Sequence, residues 1–169
     1  SNNAVQNGGG LSIAGGDMEI ESNLFTKNKS ENTGGGINAG NAELLIVNNV
    51  FYKDTARSGS GIQTYYGFSE IQNNTFFQNE GSIDGGAFGT ALGANDLTNN
   101  IFYQNTKSGA TVIGADFYND VFNESFNVFN NNAMQFAEND YTSANNNVLF
   151  VNAANIFNLD PKFEDSLNI

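Results

Sequence analysis

One pattern of five residues recurs four times along the chain at nearly constant spacing. Each copy has an apolar residue after a glycine-rich stretch, a second apolar residue nine positions later, and then Asn, Phe and Asn or Asp at fixed offsets. The copies are Leu11, Ile20, Asn23, Phe25, Asn28; Ile37, Ile46, Asn49, Phe51, Asp54; Ile62, Ile71, Asn74, Phe76, Asn79; and Phe88, Leu97, Asn100, Phe102, Asn105. The phenylalanines are 26, 25 and 26 residues apart. Such a period predicts a solenoid, in which each repeat buries its apolar surface only against its neighbours.

The apolar stretches within each repeat are too short for helices. Residues 44–47 and 50–52 are branched or aromatic and flank a pair of asparagines, which is typical of short strands. The length of the repeat varies only in the segments 29–36, 55–61 and 80–87. These segments are rich in Gly, Ser, Thr and Glu, and we interpret them as turns. Stacked repeats would pair equivalent strands in parallel, about 4.8 Å apart. The predicted fold is therefore all-β, a parallel β-helix with three strands in each coil.

Asparagine is unusually abundant, with 31 copies among 169 residues, and it recurs at fixed positions relative to phenylalanine. Asparagine tolerates left-handed backbone conformations, and its amide can bond to the same residue of the next coil. We predict a first ladder of Asn23, Asn49, Asn74 and Asn100, and a second ladder of Asn28, Asp54, Asn79 and Asn105. The phenylalanines between the two ladders are expected to point inward and to stack.

The repeat becomes less regular after Phe102. We place a fifth copy near Val112 and Val121, and its corner motif at Asn127, Phe129 and Asn132 rather than in a register through Phe126. A sixth, shorter copy would contain Asn147, Leu149 and Asn152. We expect about six coils of roughly 25 residues. Residues 1–169 are predicted to form one domain, a segment of a larger surface protein, with 153–169 as a closing tail.

The composition disfavours several classes of function. The chain has 18 acidic and 6 basic residues, a net charge of −12, so it offers no cationic surface to nucleic acid or to an anionic membrane. No apolar run approaches the roughly 20 residues that cross a bilayer, so we expect no membrane insertion. Without histidine or cysteine, imidazole and thiol catalysis are impossible. We therefore expect a protein that is not an enzyme, with no catalytic residues.

Two paired motifs resemble a known family. Gly-Gly-Gly-Leu (8–11), Gly-Gly-Gly-Ile (34–37), Gly-Ser-Gly-Ile (59–62) and Gly-Gly-Ala-Phe (85–88) are each followed by Phe-x-x-Asn or Phe-x-x-Asp. Residues 8–152 resemble the repeats of right-handed parallel β-helix proteins of the pectate-lyase-like superfamily, above all the polymorphic outer-membrane-protein repeats of bacterial surface adhesins. The segment 158–165 is similar to one that closes the last coil in such proteins. The resemblance implies a right-handed parallel β-helix at the cell surface or secreted, and it leaves the activity open.

The residue after each inward phenylalanine should point outward, because alternate side chains of a strand face opposite sides. At these positions stand Thr26, Tyr52, Phe77 and Tyr103. We predict that Tyr52, Phe77 and Tyr103 form a ligand-binding strip, whose spacing of about 4.8 Å is close to the rise of one sugar unit and whose ring faces would pack flat against sugar C–H edges. Cover by the variable segments, self-packing and a protein interface are the alternatives. Tyr65, Tyr66 and Phe68 would widen this or a neighbouring surface.

Three functions follow as hypotheses. The first is a non-catalytic extracellular module that binds a polysaccharide or a cell-surface protein, or serves as a stalk. The second is a fragment of a polysaccharide lyase or epimerase, with Lys27 and Lys53 as base and clamp. The third is a subunit of an extracellular assembly that self-associates through its coil ends. We expect no cofactor and no metal site; calcium at Asp116 and Asp120, or at Glu138 and Asp140, is the alternative.

Overall fold

The structure is a computed structural model that describes residues 1–107, 117–119, 126–130, 132–134, 141–143 and 149–151, with side chains for 1–107 and Asn132. In these residues the chain forms nineteen β-strands and no helix, and the strands pair in parallel within three sheets. The predicted all-β parallel solenoid is therefore confirmed.

Two of the sheets contain five strands each. The phenylalanine sheet consists of β4 (Leu24–Thr26), β7 (Val50–Tyr52), β10 (Thr75–Phe77), β13 (Ile101–Tyr103) and β17 (Ala133–Met134). The corner sheet, which follows it in each coil, consists of β1 (Asn3–Ala4), β5 (Lys29–Ser30), β8 (Thr55–Ser58), β11 (Glu80–Asp84) and β14 (Thr106–Lys107).

The third sheet contains the longest strands, and we call it the long-strand sheet. It consists of β2 (Leu11–Ile13), β3 (Gly16–Glu21), β6 (Ile37–Val47), β9 (Ile62–Gln72), β12 (Phe88–Thr98), β15 (Phe117–Asn119), β16 (Phe126–Asn130), β18 (Tyr141–Ser143) and β19 (Leu149–Val151). Strands β6 and β12 are each interrupted by one residue with left-handed backbone, Asn41 and Leu92, and β9 by two residues with positive φ, Tyr66 and Gly67. Because such a residue breaks the alternation of a strand, each long strand contributes two consecutive faces to its coil.

The core consists of columns of equivalent residues from successive coils. Ile46, Ile71 and Leu97 form one column, and each is completely buried. The register pairs Phe25, Phe51, Phe76 and Phe102, and their rings stack with centroids 4.8–4.9 Å apart. The predicted inward phenylalanine stack is therefore confirmed.

The described residues form about four complete coils of about 26 residues, and β15–β19 contribute strands to the coils that follow. Six coils were predicted, and the remaining residues of the last coils lie outside the described part of the chain. The predicted turns at 29–36, 55–61 and 80–87 are wrong in part, because β5, β8 and β11 lie within these segments. Backbone bonds to the preceding coil hold these strands in place, for example from Thr55 N to Asn28 O at 2.9 Å. Backbone bonds do not require apolar side chains, so the sequence of these strands shows no strong apolar pattern.

The predicted register of the fifth coil is wrong. Phe129 pairs with Leu97 and so continues the aliphatic column, whereas we predict it at the phenylalanine position. Asn132 bonds to Asn100 in the first ladder, and Met134 pairs with Phe102. In the sixth copy, Leu149 likewise does not occupy the phenylalanine position, because it pairs with Asn127. The tail 153–169 and the predicted positions Val112 and Val121 lie outside the described residues.

In the first three copies the residue before the first apolar position is glycine, which lets neighbouring coils approach closely; the fourth copy has Ala87 there. A Cβ atom on Gly61 would lie 2.5 Å from the Ala87 carbonyl oxygen and 2.9 Å from Cδ1 of Phe76. We expect Gly61→Ala to destabilise the fold by about 1–3 kcal/mol, because backbone and a fully packed ring cannot yield. Gly40→Ala is the control, since its nearest neighbour would lie at 3.9 Å. Urea unfolding of both variants measures the difference, and equal stabilities would contradict the close approach.

Candidate functional site

The two polar ladders hold the strands that carry the candidate strip. In the first ladder, Oδ1 of each asparagine accepts bonds from the backbone N–H and from Nδ2 of the asparagine one coil earlier. For Asn74 these donors are N of Asn49 at 2.8 Å and Nδ2 of Asn49 at 3.1 Å. The same pair of bonds joins Asn23 to Asn49 and Asn100 to Asn132. The predicted first ladder is thus confirmed and extends to a fifth member.

The second ladder uses the same kinds of bond on the other side of the phenylalanine sheet, except that Asp54 donates to the next coil through its backbone N–H alone. It contains the four predicted residues and begins one coil earlier, at Asn2, whose N–H donates to Oδ1 of Asn28 at 3.1 Å. Asn79 donates through N and Nδ2 to Oδ1 of Asn105, at 3.0 and 3.1 Å. Strands β4, β7, β10 and β13 are therefore fixed at both ends by side-chain bonds between coils.

The predicted reason for asparagine at these corners is wrong in one respect. The eight predicted ladder residues are not left-handed; the residue before each of these eight is. Before the first ladder these are Ser22, Asn48, Asn73 and Asn99, and before the second Lys27, Lys53, Gln78 and Gln104, with φ between 52° and 58°. Asparagine is needed at the ladder position for its amide, and the turn is made one residue earlier.

The structure brings Tyr52, Phe77 and Tyr103 together on the outer face of the phenylalanine sheet. They are paired in register, and each side chain is half-buried. The ring centroids of Tyr52 and Phe77 are 5.3 Å apart with 15° between the ring planes. Those of Phe77 and Tyr103 are 5.7 Å apart with 19° between the planes. The three rings form one continuous stack, which we call the aromatic strip.

The stacking decides which parts of the rings a ligand can contact. Both faces of Phe77 are covered by its neighbours, and the ammonium group of Lys53 lies 4.9 Å from the centroid of the Tyr52 ring. A sugar that packs flat against a ring needs an open face. The strip instead directs ring edges outward, and these carry the positive part of the aromatic quadrupole. Oxygen-rich groups are therefore the natural contacts of this surface.

Tyr65, Tyr66 and Phe68 do not widen the aromatic strip. They lie in β9, on the long-strand sheet, which faces a different direction from the phenylalanine sheet. Tyr66 and Phe68 are 53% and 42% exposed. They belong to a separate surface.

In the part of the chain that the structure describes, basic residues are confined to one side of the solenoid, where Glu31, Glu80 and Asp84 also lie. Six carboxylates project from outward positions of the long-strand sheet, in strands that contain no Lys or Arg: Asp17, Glu19, Glu21, Glu43, Glu70 and Asp96. The basic residues of the described chain lie in the corner sheet or in the two-residue turns that precede its strands: Lys27, Lys29, Lys53, Arg57 and Lys107. Lys27 and Lys53 are our candidate base and clamp. They occupy equivalent positions in successive coils and are exposed beside the aromatic strip.

A cleft at the bulge of β11 is a feature that the sequence reasoning missed. The pairing of β8 with β11 shifts between Gly81 and Asp84, and this opens a cleft of about 220 Å³ lined by Arg57, Tyr65 and Asp84. Asp84 is already paired with Lys107 at 2.7 Å. The cleft is smaller than typical small-molecule sites of about 300–1,000 Å³. It therefore does not displace the aromatic strip as the candidate site.

The described residues contain no group of three or more His, Cys, Asp or Glu side chains that could hold a metal ion. The calcium candidates Asp116, Asp120, Glu138 and Asp140 lie outside these residues. In the part of the chain that the structure describes, no helix is long and apolar enough to cross a membrane. No protein-family model matches the chain, and no curated protein or solved structure matches it at a significant level.

Proposed function

We propose that this protein is a non-catalytic extracellular β-helix module that binds a polysaccharide through the aromatic strip. It would belong to a bacterial surface or secreted protein, as the resemblance to adhesin repeats of the pectate-lyase-like superfamily suggests. The observation that carries the proposal is the continuous outward stack of Tyr52, Phe77 and Tyr103 over three coils.

The strip is suited to recognition because it is rigid before any ligand arrives. Its strands are fixed at both ends by the two ladders, and each outward ring follows a buried phenylalanine. A preorganised surface loses little conformational freedom on binding, which favours affinity. A repeating ligand would meet one ring in each coil.

The electrostatics favour an oxygen-rich ligand at this surface. The outward ring edges attract hydroxyl and carboxylate oxygens. Lys27 and Lys53 border the strip, whereas the six clustered carboxylates lie on another sheet. An acidic polysaccharide therefore meets an attractive border here and repulsion on the long-strand sheet.

The proposal predicts that the strip can be removed with the fold retained. In the variant Tyr52→Ser, Phe77→Ser, Tyr103→Ser, we expect the circular dichroism spectrum to persist and the melting temperature to fall moderately, because the lost rings are half-buried. Binding on a glycan array and to cell surfaces should fall at least about tenfold, since central aromatics carry much of an interface's energy. The matched control is Tyr66→Ser, Phe68→Ser, which removes exposed rings from another sheet and should leave binding unchanged.

The outcomes separate the alternatives. A folded triple variant that still binds the same glycan would contradict the proposal. Loss of binding to a surface protein, with no glycan bound by the natural sequence, would favour the protein interface. Release of an unsaturated, ultraviolet-absorbing product from alginate or pectin would support the lyase hypothesis instead.

A further inference from the structure

Asp54 is the one carboxylic acid in a ladder otherwise made of asparagines, and it is completely buried. Its Oδ1 atom behaves as an asparagine Oδ1 does, because it accepts bonds from N and Nδ2 of Asn28 at 2.7 and 3.0 Å. Its own N–H donates to Oδ1 of Asn79 at 2.9 Å. Backbone and Oδ1 therefore keep the ladder continuous through this coil.

The second oxygen, Oδ2, stands where the other ladder residues place a donor. Nδ2 of Asn79 donates to Oδ1 of Asn105 at 3.1 Å and to the Phe51 carbonyl at 3.0 Å. One coil earlier the equivalent acceptors are Oδ1 of Asn79 and the Phe25 carbonyl. The surroundings of the adjoining glycines support this equivalence. Oδ2 of Asp54 lies 3.2 Å from the position that a Cβ atom on Gly36 would take, and Nδ2 of Asn28 lies 3.2 Å from the corresponding position on Gly10.

An ionised Asp54 would leave this place without a proton to donate. Oδ2 is buried and has no hydrogen-bond partner among the described groups. A carboxylate there would set a negative oxygen against acceptor oxygens in a site that water does not reach, which is costly. A protonated Oδ2 replaces the amide N–H and completes the ladder.

We propose that Asp54 is a neutral, protonated acid in the folded protein, and that its ionisation is a pH-sensitive break in the second ladder. The proton leaves Oδ2 to solvent as the pH rises, and the bond between the second and third coils then loses its donor.

The charged groups around Asp54 do not remove its preference for the protonated form. The packed elements carry six charged residues. Lys27, Lys29, Lys53, Arg57 and Glu80 are exposed, whereas Asp84 is partly buried and paired with Lys107 at 2.7 Å. The ammonium of Lys53 is placed over the Tyr52 ring. Burial raises the pKa of Asp54 from 3.8 to about 7, although the hydrogen bonds from Asn28 and the amino group of Ser1 oppose the rise.

The sign of the pH dependence follows from the two states. Between the unfolded pKa of 3.8 and the folded pKa of about 7, the native state binds more protons than the unfolded state. Stability due to Asp54 is therefore fully present below pH 4, falls as the pH rises through this window, and is lost above it.

The test compares the natural sequence with Asp54→Asn, which supplies a permanent Nδ2–H of the same shape. The unfolding equilibrium constant of each protein is measured by urea unfolding at pH 4 and at pH 8. Between these pH values, the ratio of the constant of the natural sequence to that of the variant should rise by roughly 500-fold, or about 4 kcal/mol. The control Asp17→Asn changes an exposed carboxylate and should leave the pH dependence of the natural sequence in place. Parallel pH profiles for the natural sequence and Asp54→Asn would overturn the proposal.

A second measurement holds even if Asp54→Asn does not fold. The carboxyl carbon of Asp54 can be followed by ¹³C NMR in the natural sequence during a pH titration. A midpoint near 7 is expected. A midpoint near the ordinary aspartate value of about 4 would overturn the proposal.

Discussion

Phe76→Ala should destabilise the solenoid by about 3–5 kcal/mol, the range found when a large core residue is truncated. Phe76 is completely buried, and its ring is stacked between Phe51 at 4.9 Å and Phe102 at 4.8 Å. The two neighbouring rings cannot close the gap, because their strands are held apart at the coil spacing by the ladders and by backbone pairing. A cavity that cannot collapse places the expected loss at the upper end of the range.

Phe77→Ala is the matched control for this prediction. It removes the same side chain from the next residue of β10, where the ring is half-buried on the outer face. Urea unfolding should show a clearly smaller loss than for Phe76→Ala. Equal losses would mean that the outward stack contributes as much to the framework as the inward one, and the aromatic strip would then be structural in the first place.

The regular part of the fold was predictable because it depends only on the position of each residue within the repeat. The offset between Ile71 and Phe76 is repeated in every coil, and a constant offset keeps equivalent residues in one column when strands pair in parallel. Phase and strand alternation likewise placed Tyr52, Phe77 and Tyr103 side by side.

Three features were beyond the sequence pattern, each for a physical reason. The corner strands are held by backbone bonds, which leave little trace in side-chain chemistry. The left-handed position before each ladder accepts Ser, Lys, Gln or Asn, so it has no single residue signature. In the fifth coil a strict Phe-x-x-Asn rule misplaced the register, because Asn132 satisfies the ladder while methionine stands in the phenylalanine position.

The geometry of the candidate strip was also beyond the sequence. Alternation predicts that the three side chains point outward, but it does not determine how the rings are inclined. Stacking at 5.3 and 5.7 Å turns their edges to the surface, and this changes the expected ligand contact from flat packing to contact with oxygen atoms.

Asn74→Gly should cost at least about 3 kcal/mol, because several buried groups lose their partners at once and each typically costs about 1–3 kcal/mol. Oδ1 of Asn74 accepts two bonds from Asn49. Its Nδ2 donates to the carbonyls of Ile46 and Gln72 at 2.8 and 2.9 Å, and to Oδ1 of Asn100 at 3.1 Å. The space left by the side chain holds about one water, which cannot restore all of these bonds.

Asn73→Gly separates the two roles of the asparagine pair. Asn73 is exposed and has φ of 57°, a conformation that glycine adopts without strain, so this variant should unfold at nearly the same urea concentration as the natural sequence. If left-handed backbone were the reason for asparagine at position 74, glycine would be tolerated there and not at its neighbour. The two variants differ by one position and by the same chemical change. Near-equal stabilities would therefore refute the assignment of the amide bonds to Asn74 and of the turn to Asn73.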